Sequence, residues 1–224
     1  MNPLDRSDPL AGYRDRFVAT PDLVAYLDGN SLGRPLSASL ERIEAFLREQ
    51  WADRLIRGWD EGWLEQPLTV GDELGRVCLG AAPAQVAIGD STTVLLYKAI
   101  RAALDARPDR TEIVIDRDNF PTDRYLVEGI AADRGHTVRW VDTDPAAGVT
   151  PELVAAAVGP DTAVTLFSSV AYRSGFLAEV EEITALVHGV GALAIWDLSH
   201  SVGSVPTPLD DWRIDLAVGC GYKY

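Results

Sequence analysis

The chain has 224 residues, 47% hydrophobic and 24% charged, which is the composition of a globular protein able to bury a core and not of a disordered segment. Its 34 acidic against 20 basic residues give a net charge of -14 with no Lys/Arg block, which argues against nucleic acid as a partner. No apolar run approaches membrane-spanning length, and the N-terminal stretch is too charged for a signal-peptide apolar region. A cytoplasmic protein without a membrane partner is expected. Cys78 and Cys220 lie far apart at no metal-ligand spacing, so both are expected to be free, structural thiols, with no metal site.

In chain order, residues 1–60 read as an N-terminal segment built on a long amphipathic helix from Ser37 to Arg57, with Leu40, Ile43, Phe46, Leu47 and Trp51 on one stripe. Residues 61–224 read as one domain. Gly89-Asp90-Ser91-Thr92-Thr93 leads into a helical run that starts at Val94. Short apolar, β-branched runs then recur at Glu112 to Asp116, Thr137 to Val141, Ala163 to Phe167, Leu193 to Trp196 and Leu216 to Val218, each short enough for a buried strand. Helical spacing fills Thr122 to Arg134, Pro151 to Val158 and Leu177 to Val190. This alternation predicts an α/β fold with a mainly parallel sheet, right-handed crossovers and helices on both faces.

In open α/β sheets ligands bind beyond the carboxyl ends of the strands, so the residues just after each apolar run carry the interest. The hydroxyl residues of Ser91-Thr92-Thr93 at a helix start suit either a phosphate or simple N-capping. Asp118-Asn119-Phe120-Pro121-Thr122-Asp123 sets an aromatic ring and a carboxylate ahead of a helix, in residues that are also ordinary loop and cap residues. Asp197 ends a buried strand with His200 three residues later, and the last strand leads into Gly219-Cys220-Gly221-Tyr222-Lys223-Tyr224. A carboxylate at such a strand end is costly without a cationic partner. A protonated pyridine nitrogen is one such partner, and a lysine past the next strand could reach the aldehyde of that cofactor. Taken singly, Asp197 could be a helix cap, His200 a core histidine and Lys223 a surface residue; the set in this order favours a cofactor site.

Tyr26-Leu27-Asp28-Gly29-Asn30-Ser31-Leu32-Gly33 resembles the N-terminal signature of the kynureninases. The similarity continues through Gly58-Trp59-Asp60-Glu61-Gly62-Trp63, Asp90 to Thr93, Asn119 to Asp123, Tyr172-Arg173-Ser174-Gly175, Asp197 to Ser201 and Tyr222 to Tyr224. The resemblance implies fold type I of the pyridoxal-phosphate (PLP) enzymes, here its large domain, working as a homodimer. It makes Lys223 similar to the Schiff-base lysine, Asp197 to the partner of the pyridine nitrogen and Phe120 to the ring that stacks on the cofactor. Thr92 and Thr93 match the phosphate-binding pair, with Tyr222 a further phosphate ligand and a proton-transfer residue. Asp123 and His200 match positions near the ring hydroxyl and the pyridine side, and Ser31 and Trp63 face the substrate. The implied reaction is hydrolysis of L-kynurenine or 3-hydroxykynurenine to anthranilate or 3-hydroxyanthranilate plus L-alanine, in tryptophan catabolism and NAD biosynthesis.

Two positions depart from the pattern: Leu95 stands where asparagine is common, and Ser169 where a histidine often precedes the Val-x-Tyr segment. They bear on the exact substrate more than on the cofactor. A cysteine desulfurase or another aminotransferase-like enzyme would share sheet, aspartate and lysine, but the desulfurase pattern has histidine where Tyr222 stands. A non-catalytic fragment or binding protein is the rival from another class. The chain is expected to lack the C-terminal small domain with its substrate-carboxylate arginine, and so to be inactive and aggregation-prone alone.

Overall fold

Five short apolar runs pair into a single parallel sheet: β1 (Glu112–Asp116), β2 (Thr137–Val141), β3 (Thr162–Ser168), β4 (Leu193–Asp197) and β5 (Leu216–Val218), in the order β2-β1-β3-β4-β5. These are the strands expected from the sequence, with β3 and β4 a residue longer at their ends. The computed structural model describes residues 7–224; the first six residues of the N-terminal segment expected over 1–60 lie outside the described residues. The chain divides into two units, one of the described residues up to Gln66 with Tyr222–Tyr224, the other Pro67–Gly221, where the sequence reading divides at 60/61.

In the second unit the strands alternate their side chains between two cores. Ile113, Ile115, Leu166 and Ile195 face helices α3 (Thr92–Asp105) and α4 (Pro121–Arg134), represented by Leu96, Ile100, Val127 and Ile130. Val114, Phe167 and Trp196 face α5 (Pro151–Ala157) and α6 (Val180–Gly189) through Val154, Ile183 and Val187. Both faces of β1, β3 and β4 are therefore covered, which is why these strands read as continuous apolar runs. Pro121 and Pro151 open their helices, where a missing N–H costs nothing, and Gly135 closes α4 in the left-handed conformation at φ 69°. Helix α6 begins at Val180, later than the expected Leu177, because Leu177 instead bridges Val170 in antiparallel fashion.

The first unit departs from the expected helix over Ser37 to Arg57. An α-helix, α1, covers Ser37–Ala45, Phe46–Ala52 is π-helical, and Leu55–Trp59 is a 3-10 turn. Leu55 at φ 50° breaks the run, a conformation that apolar periodicity does not reveal. The predicted stripe is not buried: Leu40, Ile43, Leu47 and Trp51 are all exposed. One short helix, α2 (Gln66–Leu74), lies at the boundary of the units. Among the described residues no helix is long and apolar enough to cross a membrane.

The ring of Phe167, fully buried, packs tilted against Trp196 with centroids 6.1 Å apart. Phe167→Ala is expected to destabilise the fold by about 3–5 kcal/mol through lost burial and a cavity. Urea unfolding checks this: a midpoint unchanged from the parent would show that the cavity collapses or that the site is not core.

Candidate active site

The carboxyl edge of the sheet gathers buried polar residues, Asp116, Asn119, Ser169 and Asp197 among them. Ser168 of β3 lies in register with Asp197 of β4, which pairs in turn with Val218 of β5. The strand order turns about β1, with β2 on one side and β3 on the other, the switch at which open α/β sheets form a ligand crevice. A cavity there is lined by Asp116, Asn119, Ser168 and Tyr172 among others.

Asp197 is 5% exposed, and both hydrogen bonds from Ser199 fall on its Oδ1: the Ser199 N–H donates over 2.9 Å and the hydroxyl over 2.6 Å. His200 follows in the same turn, half-buried, and its carbonyl accepts from Ser204 Oγ at 3.0 Å. At the start of α3, Ser91 caps the helix by accepting from Val94 N–H at 3.4 Å. The capping reading of Ser91 therefore holds in the structure, while Thr92 and Thr93 occupy the first turn, where backbone N–H groups lack intrahelical acceptors. The Thr92 hydroxyl donates to the Gly219 carbonyl over 3.2 Å, joining the start of α3 to the chain just past β5.

Phe120 stands at the N-cap of α4, 38% exposed, its ring met edge-on by Tyr172 at 5.3 Å and 82°. Asp123 lies in the first turn of that helix, 2% exposed; the helix starts at Pro121, one residue before the expected Thr122. Beneath Phe120, Asn119 donates from Nδ2 to Asp116 Oδ1 over 2.8 Å and accepts the Phe120 N–H at 2.7 Å. Arg173 pairs with Asp118 over 2.8 Å, which raises the guanidinium pKa further.

Ser31, Trp63, Tyr222 and Lys223 belong to the first unit. There the signature segment meets the lysine segment: Gly33 N–H donates to the Tyr222 carbonyl over 2.8 Å, and a Cβ at Gly33 would collide with the Lys223 carbonyl. Ser31 is exposed, and Lys223 Nζ lies 5.8 Å from the centroid of the Tyr222 ring. Trp63 is engaged in packing, 5.7 Å from Phe46 and 5.8 Å from Trp59, with its indole N–H donating to Gln50.

Of the departures, Leu95 packs half-buried on the α3/α4 core and over Gly89. Ser169 is 1% exposed with its hydroxyl 2.8 Å from Ser201 Oγ, a buried structural contact. Sequence reasoning passed over Asp116 and Ser199, which carry the two buried carboxylate contacts of this edge. Among the described residues no group of three or more His, Cys, Asp or Glu could hold a metal.

Residues 78–224 match the family model for class-V aminotransferases. The chain belongs to the class-V aminotransferase family. Kynureninases from Pseudomonas fluorescens and Burkholderia pseudomallei are 42% identical to it over 99% of its length. The chain spans about half the length of these curated relatives, 53% of each. Among solved structures, a NifS-like protein superposes with a TM-score of 0.77 at 19% identity, over 90% of this chain and 56% of the other. The cystine lyase C-DES, in a mutant carrying glycine covalently linked to its PLP cofactor, gives 0.78 at 19%, over 94% and 55%. At these identities the two structures speak to the fold alone, the α/β architecture with a parallel sheet found in PLP enzymes of fold type I.

Burial pushes the Asp116 carboxyl from its ordinary 3.8 up to about 6, against the hydrogen bond from Asn119. Because the folded-state value is raised, the stability this group contributes is full below about pH 4 and is lost as pH rises through about 6. Asp116→Asn, which keeps the acceptor for Asn119, should gain on the parent by at most about 3 kcal/mol between pH 4 and pH 7.5. Urea unfolding of both proteins at the two pH values measures this, and a constant difference would show that Asp116 is not desolvated.

Proposed function

We propose that the chain binds PLP and serves the hydrolysis of L-kynurenine or 3-hydroxykynurenine to anthranilate or 3-hydroxyanthranilate and L-alanine. The observation that carries the reaction is the 42% identity to kynureninases over 99% of the chain. The geometry supports the cofactor: a buried carboxylate at the end of β4, a partly exposed aromatic ring at Phe120 and hydroxyls on the first turn of α3 are groups that a phosphorylated pyridinium requires.

In this reading Thr92, Thr93 and the N–H groups of the first turn of α3 take the phosphate, with Tyr222 as a further ligand. Phe120 would stack on the ring, Asp197 would accept from the ring nitrogen, and Asp123 and His200 would border the ring hydroxyl and the pyridine side. Bound PLP supplies an electron sink for charge developed at the substrate Cα. Lys223 would hold the cofactor through its ε-amine and would serve as the base that takes the Cα proton. Tyr222 passes protons in the later steps. One water adds its oxygen to the γ-carbonyl carbon, the Cβ–Cγ bond breaks, and Cβ takes up a proton as alanine forms. Ser31 and Trp63 contribute to the substrate side.

The same resemblance supports a cytoplasmic homodimer in tryptophan catabolism, and the uncovered stripe of Leu40, Ile43, Leu47 and Trp51 gives such a dimer apolar surface to bury. A desulfurase is disfavoured by Tyr222 at the position before the lysine.

The test is the protein purified at its natural length with PLP and kynurenine or 3-hydroxykynurenine. Release of the fluorescent anthranilate is expected, and borohydride reduction followed by peptide mapping should place the pyridoxyl group on Lys223. A label on another residue overturns the lysine assignment. Asp197→Ala should lose at least about 100-fold in kcat/KM, with partial recovery in Asp197→Glu. Near-parental turnover by the alanine variant would make Asp197 structural.

A further inference from the structure

We infer that Ser199 is a positioning residue for the Asp197 carboxylate, fixing it through Oδ1 so that Oδ2 is the oxygen presented to the cofactor ring nitrogen. The inference rests on the PLP reading above and adds to it a residue that the sequence motifs do not single out.

The argument begins with the freedom of an aspartate. Its terminal torsion is broad and roughly two-fold, so strand position alone does not aim a carboxylate. Here one neighbour two positions on supplies both constraints. The Ser199 N–H reaches Oδ1 at 2.9 Å, the contact of an Asx-turn, and the Ser199 hydroxyl reaches the same oxygen at 2.6 Å. At 2.6 Å the hydroxyl bond is short, within the range of charge-assisted O–H···O bonds. Ser199 is 8% exposed, so the hydroxyl is poorly placed to trade this acceptor for bulk water.

The backbone of Asp197 is held by a different set of contacts. Its carbonyl accepts from the Ser169 N–H at 3.0 Å, and the Ser169 hydroxyl lies 3.3 Å from that carbonyl and 2.8 Å from Ser201 Oγ. Ser201 Oγ is in turn 3.3 Å from the Leu198 carbonyl. Register with Ser168 and Val218 adds the sheet ladder on both sides. Removing the Ser199 hydroxyl therefore takes away aim without taking away the strand. Ser169 and Ser201 secure where Asp197 stands; Ser199 secures how its carboxylate is turned.

The experiment compares PLP with a carbocyclic PLP analogue in which the ring nitrogen is replaced by C–H, titrated into apo-protein and read as equilibrium Kd from cofactor absorbance. For Ser199→Ala, PLP should bind about tenfold more weakly, the scale of one hydrogen bond to a charged group, while the analogue, having no ring N–H, binds as it does to the parent. Ser199→Thr, which keeps a hydroxyl, should return PLP affinity toward the parent. Equal weakening for both ligands would mean that Ser199 only supports the fold, and unchanged PLP affinity would mean that it does not aim Asp197; either result overturns the inference. If Ser199→Ala does not fold, Ser199→Cys, near-isosteric with only a weak S–H donor, is read by the same comparison. A parent protein that binds the analogue and PLP equally well removes the ring-nitrogen contact itself, a failure of the cofactor reading distinct from the failure of Ser199 alone.

Discussion

The arrangement depends on a parallel ladder whose strands end together. With every strand running the same way, their carboxyl ends fall on one edge, and the register Ser168 to Asp197 to Val218 fixes that edge to within a residue. The cores on the two faces hold the register, because a slip of one position would send Ile195 and Trp196 to each other's side. A polar residue at the end of such a strand therefore inherits its position from apolar residues that never approach a ligand. The Thr92 hydroxyl on the Gly219 carbonyl ties the neighbouring helix start to the same edge.

Two buried acids, Asp116 and Asp197, end strands at this edge and are held differently. Asp116 receives one side-chain donor, from Asn119, and burial still disfavours its charged form. Asn119 in turn accepts the Phe120 N–H, so the acid serves as the base of a turn that sets out the aromatic ring. Asp197 receives two donors from one residue on one oxygen. The first arrangement supports a neighbour, whereas the second orients the acid itself, and orientation is the requirement when a carboxylate is to meet a fixed ring nitrogen.

Much of this was legible in the sequence, for stated reasons. Strands β1, β3 and β4 are readable because both their faces are covered, so each is a short continuous apolar run that differs from the helical spacing between runs. Asp197 was readable as a strand-end acid for the same reason. The helix over Ser37 to Arg57 was over-read, since apolar periodicity persists through the positive-φ residue Leu55 that ends it. Ser199 was not readable: its two bonds depend on a turn closing back on the preceding acid, and a serine after a strand looks the same whether it does so or faces water. Asp116 reads in the sequence only as a strand terminus, because its burial beside the Asn119 turn that follows β1 is a tertiary fact. The roles given to Tyr222 and Lys223 came from resemblance, as nothing in local spacing distinguishes a cofactor lysine from a surface one.

The first unit gives the N-terminal signature a physical reason of its own. Gly33 lies nearly 190 positions from Tyr222 in sequence, yet its N–H reaches the Tyr222 carbonyl at 2.8 Å. At that approach any side chain at residue 33 would occupy the space of the Lys223 backbone carbonyl, so only glycine permits the contact without displacing the lysine-bearing segment. The turn before it is built to deliver this: Ser31 and Leu32 both donate to the Asp28 carbonyl, and the Tyr26 hydroxyl donates to the Leu32 carbonyl over 2.7 Å. The aromatic, acid and glycine of the motif thus act as one backbone clamp. A residue placed by such a clamp is placed by main-chain contacts on both partners, which makes its position less dependent on side-chain packing than that of the strand-end acid.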